Sequence, residues 1–546
     1  MTPSGRTAFA LLVGGLLVAC GPARVGPSSP PAWSPDLGNG RYRNPVIFAD
    51  YSDPDVVRVG DDFYMTASSF GSFPALPILH SRDLVNWTLV NHAIPSFPDS
   101  TFDAPQHGNG VWAPALRYHD GWFWIFYGDP DRGIYRVRTR DVRARWEPPV
   151  LVQAAKGWID PAPLWDDDGN AYLVHAFARS RSGIKHVLHV ARMSPDGTRL
   201  LDEGRPVFMD SVRHPTLEGP KLYKRNGWYY IFAPAGGVPT GWQTVLRSRS
   251  VYGPYEDRIV LARGSTPVND PHQGGWVQTQ TGEDWFLHFQ DREAYGRIVH
   301  LQPMAWNGDW PVMGSDPDGD GTGEPVLEFR KPDVGRTYSP AVPQTTDEFS
   351  AAKLGLQWQW HANPRDTWYS LGERRGWLRL RPNPLPRGGV NLWAAPHLLL
   401  QKLPAPAFDV TTRLAFAGLR PGERAGLLVM GLDYGYLAVR RTATGAELVR
   451  ASVTNAHQGT REAVTSPIPL SGESVVLRVT VSAGAKYRFW YSPDGERFEP
   501  VGDDLTAREG RWIGAKVGVF ALASAGSAGA GHADFDFFRV TSPSAR

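Results

Sequence analysis

From Asn44 to Val312 the chain is a succession of short runs in which apolar and polar residues alternate, and the runs end at Gly, Pro, Asn or Asp. Alternation with a period of two is typical of β-strands that bury one face, and the bounding residues are typical of tight turns. No stretch of useful length in this region has the period of an amphipathic helix. The pattern therefore predicts an all-β fold.

One unit of this pattern recurs five times. Each unit has a distinctive residue, a small or Pro-rich start, an apolar strand, a turn and an alternating aromatic strand. The five units contain "SDPDVVRVGDDFYMTASS", "VWAPALRYHDGWFWIFYG", "IDPAPLWDDDGNAYLVHAF", "LEGPKLYKRNGWYYIF" and "PHQGGWVQTQTGEDWFLHFQD". A period of roughly 50 residues with several strands per unit predicts a five-bladed β-propeller, which we place at residues 41–332.

The distinctive residues are spaced 59, 48, 58 and 54 residues apart, and they are Asp53, Trp112, Asp160, Glu218 and His272. Equivalent positions in rotationally related blades lie on one ring. We therefore expect these five side chains to face one mouth of the axial channel. An acidic residue beside Pro or Gly is usually a turn or cap residue. Three of them at one repeat position favour a functional pocket instead.

The sequence pattern changes after residue 332. A Pro-rich segment at 333–345 predicts a linker, and short alternating runs follow it over residues 346–542. Turn-bounded runs of this kind predict a sandwich of two antiparallel sheets. They include "GWLRLR", "FDVTTRLAF", "GLLVMGLDYGYLAVRR", "VVLRVTV", "YRFWYSPDG" and "ADFDFFRV".

The N-terminus has the pattern of an export signal. Arg6 and the apolar run "AFALLVGGLLVA" precede Cys20, which predicts a signal peptide at 1–20 that is too short to span a membrane. "LVAC" resembles the bacterial lipobox, so we expect Cys20 to carry a lipid; a plain signal peptide is the alternative. Residues 21–40 are predicted to be a flexible tether. This arrangement predicts an exported bacterial lipoprotein on the periplasmic or cell-surface side, held at the membrane only by its lipid anchor.

Composition narrows the choice of partner. A net charge of +2 without a basic stripe argues against nucleic acid. The chain has 12% aromatic residues and 21 Trp, which suits flat surfaces for sugars or an aromatic β core. A single cysteine excludes a disulfide bond within the chain.

Carboxyl groups across a pocket suit the hydrolysis of a glycosidic bond. One carboxylic acid protonates the leaving oxygen while the other carboxylate activates water. A third carboxylate beside the acid would raise its pKa and so keep it protonated near neutral pH.

Three motifs carry a resemblance to glycoside hydrolase family 43. They are "NPVIFADYSDPDVVRVGDDFYM", "WIDPAPLWDDDGNAYLV" and "LEGPKLYKRNGWYYIF". The resemblance implies that Asp53 is the general base, Asp160 tunes the pKa of the acid and Glu218 is the general acid. It also implies hydrolysis with inversion, no cofactor for the chemistry, and plant cell-wall oligosaccharides as substrates.

Smaller matches imply further site residues. "SSFGSFPALPILHS" resembles the loop whose aromatic ring packs beside the sugar, here Phe70, and "GVWAPALRY" resembles a strand at the pocket edge, here Trp112. Arg297 in "YGRIVHLQPMAW" resembles an arginine that binds a sugar hydroxyl. Core packing for the two aromatic residues and a solvated strand arginine are the alternatives. His272 matches a histidine beneath the pocket that ligates calcium or orients the tuning aspartate. Calcium prefers oxygen ligands, so both interpretations stay open.

Two acidic stretches each allow two interpretations. Asp55 follows Asp53-Pro54 where many relatives have Ser, which leaves open which aspartate is the base; Asp53, directly before Pro, is our prediction. The second stretch copies the first half of an EF-hand loop but has Leu327 at its twelfth position, so we expect a polar turn, with calcium as the alternative. Its matching residues are Asp316, Asp318, Asp320 and Gly321.

The C-terminal half resembles the lectin-like, concanavalin A-like domain of β-xylosidases in this family. It could bind polysaccharide, or it could place a loop over the propeller mouth, which would favour exo cleavage; we prefer the second role. The sequence thus predicts an inverting exo-glycosidase that removes terminal β-D-xylosyl residues from xylan-derived oligosaccharides. The alternatives are an α-L-arabinofuranosidase acting on arabinoxylan or arabinan, and a non-catalytic carbohydrate-binding lipoprotein. A fructan-cleaving propeller is the weakest alternative because its Asn-Asp-Pro-Asn and Arg-Asp-Pro motifs do not occur.

Overall fold

The computed structural model describes Met1 and residues 30–269, 271–465, 467–524 and 529–543. In this part the chain forms a five-bladed β-propeller followed by a β-sandwich, which confirms the predicted fold class. Cys20 and the predicted signal peptide beyond Met1 lie outside the described residues, so lipidation stays a prediction. Among the described residues, no helix is both long and apolar enough to cross a membrane.

Each blade is a four-stranded antiparallel sheet with its strands in chain order, and the first strands of the blades surround the axis. Strand β1 (Arg41–Arg43) comes before the first blade, which comprises β2 (Asp55–Val59), β3 (Asp62–Thr66), β4 (Ala75–Ser81) and β5 (Trp87–Ile94). The second blade comprises β6 (Trp112–His119), β7 (Trp122–Asp129), β8 (Gly133–Thr139) and β9 (Val150–Ala154). The third comprises β10 (Trp158–Trp165), β11 (Ala171–Phe177), β12 (Val187–Met193) and β13 (Arg205–Met209), with the short helix α1 (Arg179–Ser182) after β11. The fourth comprises β14 (Lys221–Arg225), β15 (Trp228–Ala235), β16 (Trp242–Ser248) and β17 (Glu256–Leu261). The fifth comprises β18 (His272–Gln278), β19 (Asp284–Asp291), β20 (Arg297–Asn307) and β21 (Trp310–Met313).

The sandwich follows strand β22 (Glu328–Arg330) and has two antiparallel sheets. The first sheet comprises β23 (Gln359–Trp360), β26 (Leu399–Lys402), β28 (Arg424–Met430), β29 (Tyr434–Arg441), β30 (Ala446–Val453), β31 (Ala463–Val464), β32 (Ile468–Leu470) and β36 (Lys516–Leu522). The second comprises β24 (Tyr369–Ser370), β25 (Leu378–Leu380), β27 (Phe408–Ala415), β33 (Ser474–Ser482), β34 (Lys486–Ser492), β35 (Glu499–Thr506) and β37 (Ala533–Thr541). Single 3-10 turns occur at Ser100–Asp103, Glu293–Tyr295, Asp366–Trp368, Leu392–Ala394 and Ala456–Gln458.

Turn chemistry sets the first hairpin of the fourth blade. Asn226 and Gly227 have φ of 50° and 72° between the paired residues Arg225 and Trp228. Positive φ at both central residues is the requirement of a type I′ turn, whose twist matches that of the strands. This turn fixes the register in which the aromatic strand β15 pairs with the innermost strand β14.

The N-terminal segment closes the ring of blades. Ile47 and Val299 exchange both backbone hydrogen bonds, at 3.2 and 3.1 Å, so the segment before the first blade pairs with the fifth. The Asn44 side chain adds bonds to Leu301, and β1 pairs with β22. A closed ring leaves the blades with few free strand edges.

Part of the predicted tether packs on the propeller. The Trp33 Nε1–H donates to the Pro45 carbonyl at 3.0 Å, and the Trp33 ring lies 5.3 Å from that of Phe48. Lys331 pairs with Asp36 at 2.7 Å. The sequence missed this packing because the surrounding Pro and Ser residues resemble a linker, whereas the indole finds an apolar partner distant in sequence.

At or just before the start of each innermost strand one residue has positive φ, and in the second, third and fifth blades the strand also contains a bulge there. These residues are Asp53, Ala113, Asp160, Gly219 and Gln273. Only two of the five predicted ring residues, Asp53 and Asp160, occupy this position. Trp112, Glu218 and His272 stand one residue earlier, so the prediction that all five are equivalent was wrong by one residue in three blades. Where a bulge occurs, it changes the direction in which the neighbouring side chains point.

The two domains share a continuous apolar core. Phe48, Tyr295 and Ile298 of the propeller are buried together with sandwich residues. Phe73 and Trp360 exchange backbone hydrogen bonds at 3.0 and 2.6 Å across the junction. The sandwich is therefore held in a fixed position against the propeller.

Candidate active site

Asp53 lies at the start of the first blade with φ of 55° and is 5% exposed. Its Oδ2 accepts a 2.5 Å hydrogen bond from the Ser68 hydroxyl, and its Oδ1 accepts a 2.9 Å bond from Arg297 Nη1. The Ser68 oxygen in turn accepts from the Ala113 N–H at 2.7 Å. Left-handed backbone is uncommon for a residue other than glycine, and such strain is concentrated at functional sites. The contacts fix the orientation of this carboxylate.

Asp160 lies at the same position in the third blade, with φ of 57°, and is 4% exposed. Its Oδ2 accepts a 2.8 Å hydrogen bond from the Gly219 N–H. Burial raises the pKa of Asp160 to about 7, against the opposing effect of the Gly219 bond, and the negative charge of Asp53 raises it further. This bond links Asp160 to the residue that directly follows Glu218.

Glu218 is the most accessible of the three carboxyl groups, with 24% of its side chain exposed. Burial raises the pKa of Glu218 to about 8, and the charge of Asp160 adds to the increase. Its Oε1 lies 3.7 Å from His272 Nε2. Burial lowers the pKa of His272 to about 3, so this imidazole is neutral at ordinary pH. A carboxyl group that keeps its proton near neutral pH can act as an acid.

Aromatic side chains extend the site beyond the carboxyl groups. Phe70 is 3% exposed, and its ring lies 6.1 Å from that of Trp112 and 6.0 Å from the Arg297 guanidinium carbon. Trp112 lies 6.3 Å from Trp512, a sandwich residue that is 51% exposed. The structure therefore brings all seven residues predicted from the sequence into one connected site.

Asp55 does not reach the mouth. It is fully buried, accepts a 2.6 Å hydrogen bond from Arg117 Nη1, and accepts a 2.8 Å bond from the Leu116 N–H. A carboxylate with these partners and no exposed surface has no access to a substrate water. The geometry therefore favours Asp53 over Asp55 as the residue that faces the pocket.

Sequence reasoning missed several members of this site. Ser68 and Asp50 hold Asp53 and the strand of Arg297, since Asp50 Oδ1 accepts from the Arg297 N–H at 2.9 Å. Asp50 Oδ2 accepts from the Gly514 N–H at 3.1 Å, which ties the sandwich loop to the pocket. The triplet of acids in "FADYSDPD" was the available signal for Asp50. For Trp512, nothing in the local sequence indicates contact with the propeller.

A calcium ion at His272 was one open interpretation. Calcium is bound by six to eight oxygen ligands. His272 offers two ring nitrogens without hydrogen-bond partners, and among the described residues the one group of three or more acidic or histidine side chains close enough to hold a metal is the acidic turn at Asp316, Asp318 and Asp320. A calcium ion at His272 therefore stays a prediction from the sequence.

The separate acidic stretch lies beyond the fifth blade. The carboxylates of Asp316, Asp318 and Asp320 have oxygen atoms within 4.8 Å of one another, and two of the residues are exposed. The Asp316 side chain accepts from the N–H groups of Gly319 and Gly321, as expected for a polar turn. Calcium binding at this turn stays the alternative prediction.

The arrangement can carry out acid–base chemistry on a sugar. One carboxylic acid is held protonated on the fourth blade, and one fixed carboxylate lies on the first. The third carboxyl group bonds the backbone beside the acid. Aromatic rings and an arginine flank them, which suits the apolar faces and hydroxyl groups of a carbohydrate.

Comparisons with known proteins agree with this chemistry. The model of "Glycosyl hydrolases family 43" matches residues 42–311, and that of the "Beta xylosidase C-terminal Concanavalin A-like domain" matches residues 346–541. The chain is 41% identical to a putative beta-xylosidase of Xylanibacter ruminicola, over 88% of this chain and 86% of that protein. It is 28% identical to a non-reducing end alpha-L-arabinofuranosidase of Bacteroides ovatus, over 92% and 95% of the two chains.

Solved structures show the same architecture. A xylan beta-1,4-xylosidase from Bacillus halodurans superposes with a TM-score of 0.81 and 28% identity, over 91% of this chain and 99% of that one. The resemblance therefore covers both domains and their arrangement. The chain belongs to glycosyl hydrolase family 43 and is a glycoside hydrolase.

Proposed function

We propose that this protein is an inverting exo-β-xylosidase that removes terminal β-D-xylosyl residues from xylan-derived oligosaccharides. The observation that carries the proposal is the placement of Glu218 near Asp160. Burial and the charge of Asp160 raise the pKa of Glu218, so this carboxyl group keeps its proton, while Asp53 is held as a fixed carboxylate on the first blade. The similar proteins from Xylanibacter ruminicola and Bacillus halodurans, named as xylosidases, support the choice of sugar.

In this proposal Glu218 donates its proton to the glycosidic oxygen while Asp53 removes a proton from the attacking water. The bond between the anomeric carbon and the leaving oxygen breaks as the water oxygen attacks from the opposite face, so the product has inverted configuration. Afterwards Asp53 carries the water proton and Glu218 is ionised, and solvent exchange restores both. Arg297 and Ser68 hold Asp53 in the orientation that this step needs. No cofactor takes part.

Two aryl glycosides test the proposal. We expect release of nitrophenol from 4-nitrophenyl β-D-xyloside to exceed that from the α-L-arabinofuranoside in kcat/KM. Proton NMR of the first product should show α-xylose before mutarotation. Initial appearance of β-xylose would contradict inversion, and turnover of neither glycoside nor xylo-oligosaccharides would favour a non-catalytic sugar-binding protein.

An α-L-arabinofuranosidase is the second candidate. Its support is the Bacteroides ovatus relative, which is 28% identical over both domains. A substrate ratio that favours the arabinofuranoside would select this function while leaving the acid and base assignments unchanged.

The sandwich supports exo action by narrowing the mouth. Trp512 stands beside Trp112, and a Cβ atom on Gly108 of the propeller would lie 2.3 Å from Arg511 Cγ. The Gly514 bond to Asp50 holds this loop in place. We propose that the loop limits the pocket to the end of a chain and contacts the bound sugar.

Removing the Trp512 ring should weaken substrate binding. An aromatic contact contributes about 0.5–1.5 kcal/mol, so Trp512→Ala should raise KM for aryl xyloside roughly two- to twelvefold with little change in kcat. Trp377→Ala is the matched control, because Trp377 packs under Arg374 within the sandwich. An unchanged KM, or equal effects of both variants, would contradict a role for Trp512 at the pocket.

Location and partners extend the proposal. A lipid on Cys20 would hold the enzyme at the outer side of a bacterial inner membrane or at the cell surface, where plant cell-wall oligosaccharides arrive. Metabolic labelling with a fatty-acid analogue, compared with Cys20→Ala, tests this anchor. Label in the wild type that is lost in the variant would support it, and an unlabelled wild type would contradict it.

A further inference from the structure

A lysine is buried in the axial channel behind the carboxyl groups. Lys221 is the first residue of β14, three residues after Glu218, and it is fully buried. Its Nζ donates a 3.0 Å hydrogen bond across the channel to the carbonyl of Pro114, on the innermost strand of the second blade. An ammonium group is costly to bury without opposite charge nearby, so its position calls for a physical reason.

The charges around it provide that reason. The described charged groups facing this part of the axis are the carboxyl groups of Asp53, Asp55, Asp160 and Glu218 and the cationic groups of Arg117, Arg297 and Lys221. His272 and Tyr223 are neutral because burial lowers the pKa of the first and raises that of the second. Lys185 lowers the pKa of Glu218 from a partly exposed loop, so it lies outside the buried set of charges.

Four carboxyl groups thus face three cations in the interior of the site. Their charges balance when one carboxyl group keeps its proton, and Glu218 has the higher of the two raised pKa values, about 8 against about 7 for Asp160. Arg117 bonds Asp55 and Arg297 bonds Asp53, each within 3 Å. Lys221 has no ion pair with a described carboxylate: burial lowers its pKa, and the negative charges of Asp55, Asp160 and Asp53 oppose that shift. Because Asp55 and Asp53 already have arginine partners, Lys221 is the cation left to balance Asp160.

We propose that Lys221 is a positioning residue for hydrolysis: its buried ammonium group keeps Asp160 ionised, and ionised Asp160 in turn keeps Glu218 protonated. The proposal rests on the roles proposed above for Glu218 and Asp160. It assigns to a lysine of the chain itself the positive charge behind the carboxyl groups.

The sign of the effect follows from the charges. The positive charge of Lys221 lowers the pKa of Asp160. Without it the pKa of Asp160 rises, so a higher pH is needed to ionise this group and the acid limb of the activity profile moves upward. A charge at close range shifts a pKa by about one unit or more. Lys221→Met should therefore move the acid limb of kcat/KM up by about one pH unit, which is roughly a tenfold loss of activity at pH values below the limb.

Two further variants separate charge from packing. Lys221→Arg retains the charge and should keep the limb near its wild-type position. Asp55→Asn removes a negative charge from the same interior set, away from the mouth, and should move the limb downward. Asp55→Asn also tests the charge balance if Lys221→Met does not fold. A merely structural lysine would lower kcat at all pH values without moving the limb, and that result would overturn the proposal.

Carboxyl titration gives a readout that does not need turnover. In the full-length protein labelled with aspartate carrying ¹³C at its carboxyl carbon, the signal absent from Asp160→Asn identifies Asp160. We expect its midpoint to be higher in Lys221→Met and lower in Asp55→Asn than in the wild type. Unmoved midpoints would overturn the role of Lys221. Failure of the proposed function would appear separately, as a wild type that turns over no glycoside.

Discussion

Replacing Glu218 by Gln is expected to lower kcat on xylobiose about 10³-fold, because a positioned general acid contributes roughly 10²–10⁴ to the rate. The amide has nearly the same shape and still donates hydrogen bonds, but it cannot transfer a proton to the leaving oxygen. When xylobiose is cleaved, the second xylose leaves as an alkoxide unless the glycosidic oxygen is protonated. A nitrophenolate is stable without that proton, so the loss on the aryl xyloside should be much smaller.

The comparison of the two substrates is the measurement. A large loss on xylobiose with a small loss on 4-nitrophenyl β-D-xyloside identifies an acid, whereas equal losses indicate a group with another role. The high-pH limb near 8 should also disappear in the variant, because it reports ionisation of the raised Glu218 carboxyl. Glu203→Gln, at an exposed position of the third blade, is the control and should behave as the wild type. Full activity of Glu218→Gln on xylobiose would mean that another residue is the acid.

The fold was predictable because each blade repeats the same local sequence pattern. Alternating apolar residues define the strands, and dipeptides such as Asn226-Gly227 define the hairpins. Five repetitions made the pattern stronger than any single strand. The packing of Trp33 on the propeller was not predictable in this way, since its partner Phe48 becomes a neighbour only after the ring has closed.

The site was partly predictable for the same reason. Acidic residues at repeat positions indicated the pocket, but an alignment by residue type placed Glu218 level with Asp160. The backbone instead aligns Gly219 with Asp160 through their positive φ values of 60° and 57°. Aligning the blades by the residue before proline, rather than by residue type, would have given this equivalence. This offset lets the Gly219 N–H reach the Asp160 carboxylate while Glu218 stays free to face the substrate.

Contacts that join distant segments were beyond the reach of the pattern. Ser68 contacts Asp53 from 15 residues further along the chain, and Trp512 approaches Trp112 from the other domain. Lys221 stands in a strand of ordinary alternation, where a lysine would be expected to point to solvent. Only the closed propeller reveals that this position faces the axis.

The second large effect is expected for the base. Asp53→Asn should lower kcat about 10³-fold or more, close to 4 kcal/mol of transition-state stabilisation, since the amide cannot accept a proton from water. The Arg297 and Ser68 contacts favour a carboxylate at this position, so the variant also leaves the guanidinium charge without its partner. Unlike the loss in Glu218→Gln, this loss should be similar for xylobiose and for the aryl xyloside, because activation of water does not depend on the leaving group.

An added nucleophile makes the assignment to Asp53 decisive. Azide needs no deprotonation, so it should restore turnover of the aryl xyloside by Asp53→Ala, with the azide nitrogen replacing the nitrophenolate at the anomeric carbon. Attack from the face opposite the leaving group gives α-xylosyl azide, which NMR distinguishes from the β product of a retaining enzyme. Asp55→Asn is the matched control: Asp55 is enclosed by Arg117 and the Leu116 backbone, so this variant should keep most of its kcat at its own optimum. If Asp55→Asn were the variant that lost activity and gained it back with azide, the base would be Asp55, and its buried bonds would have to open during turnover.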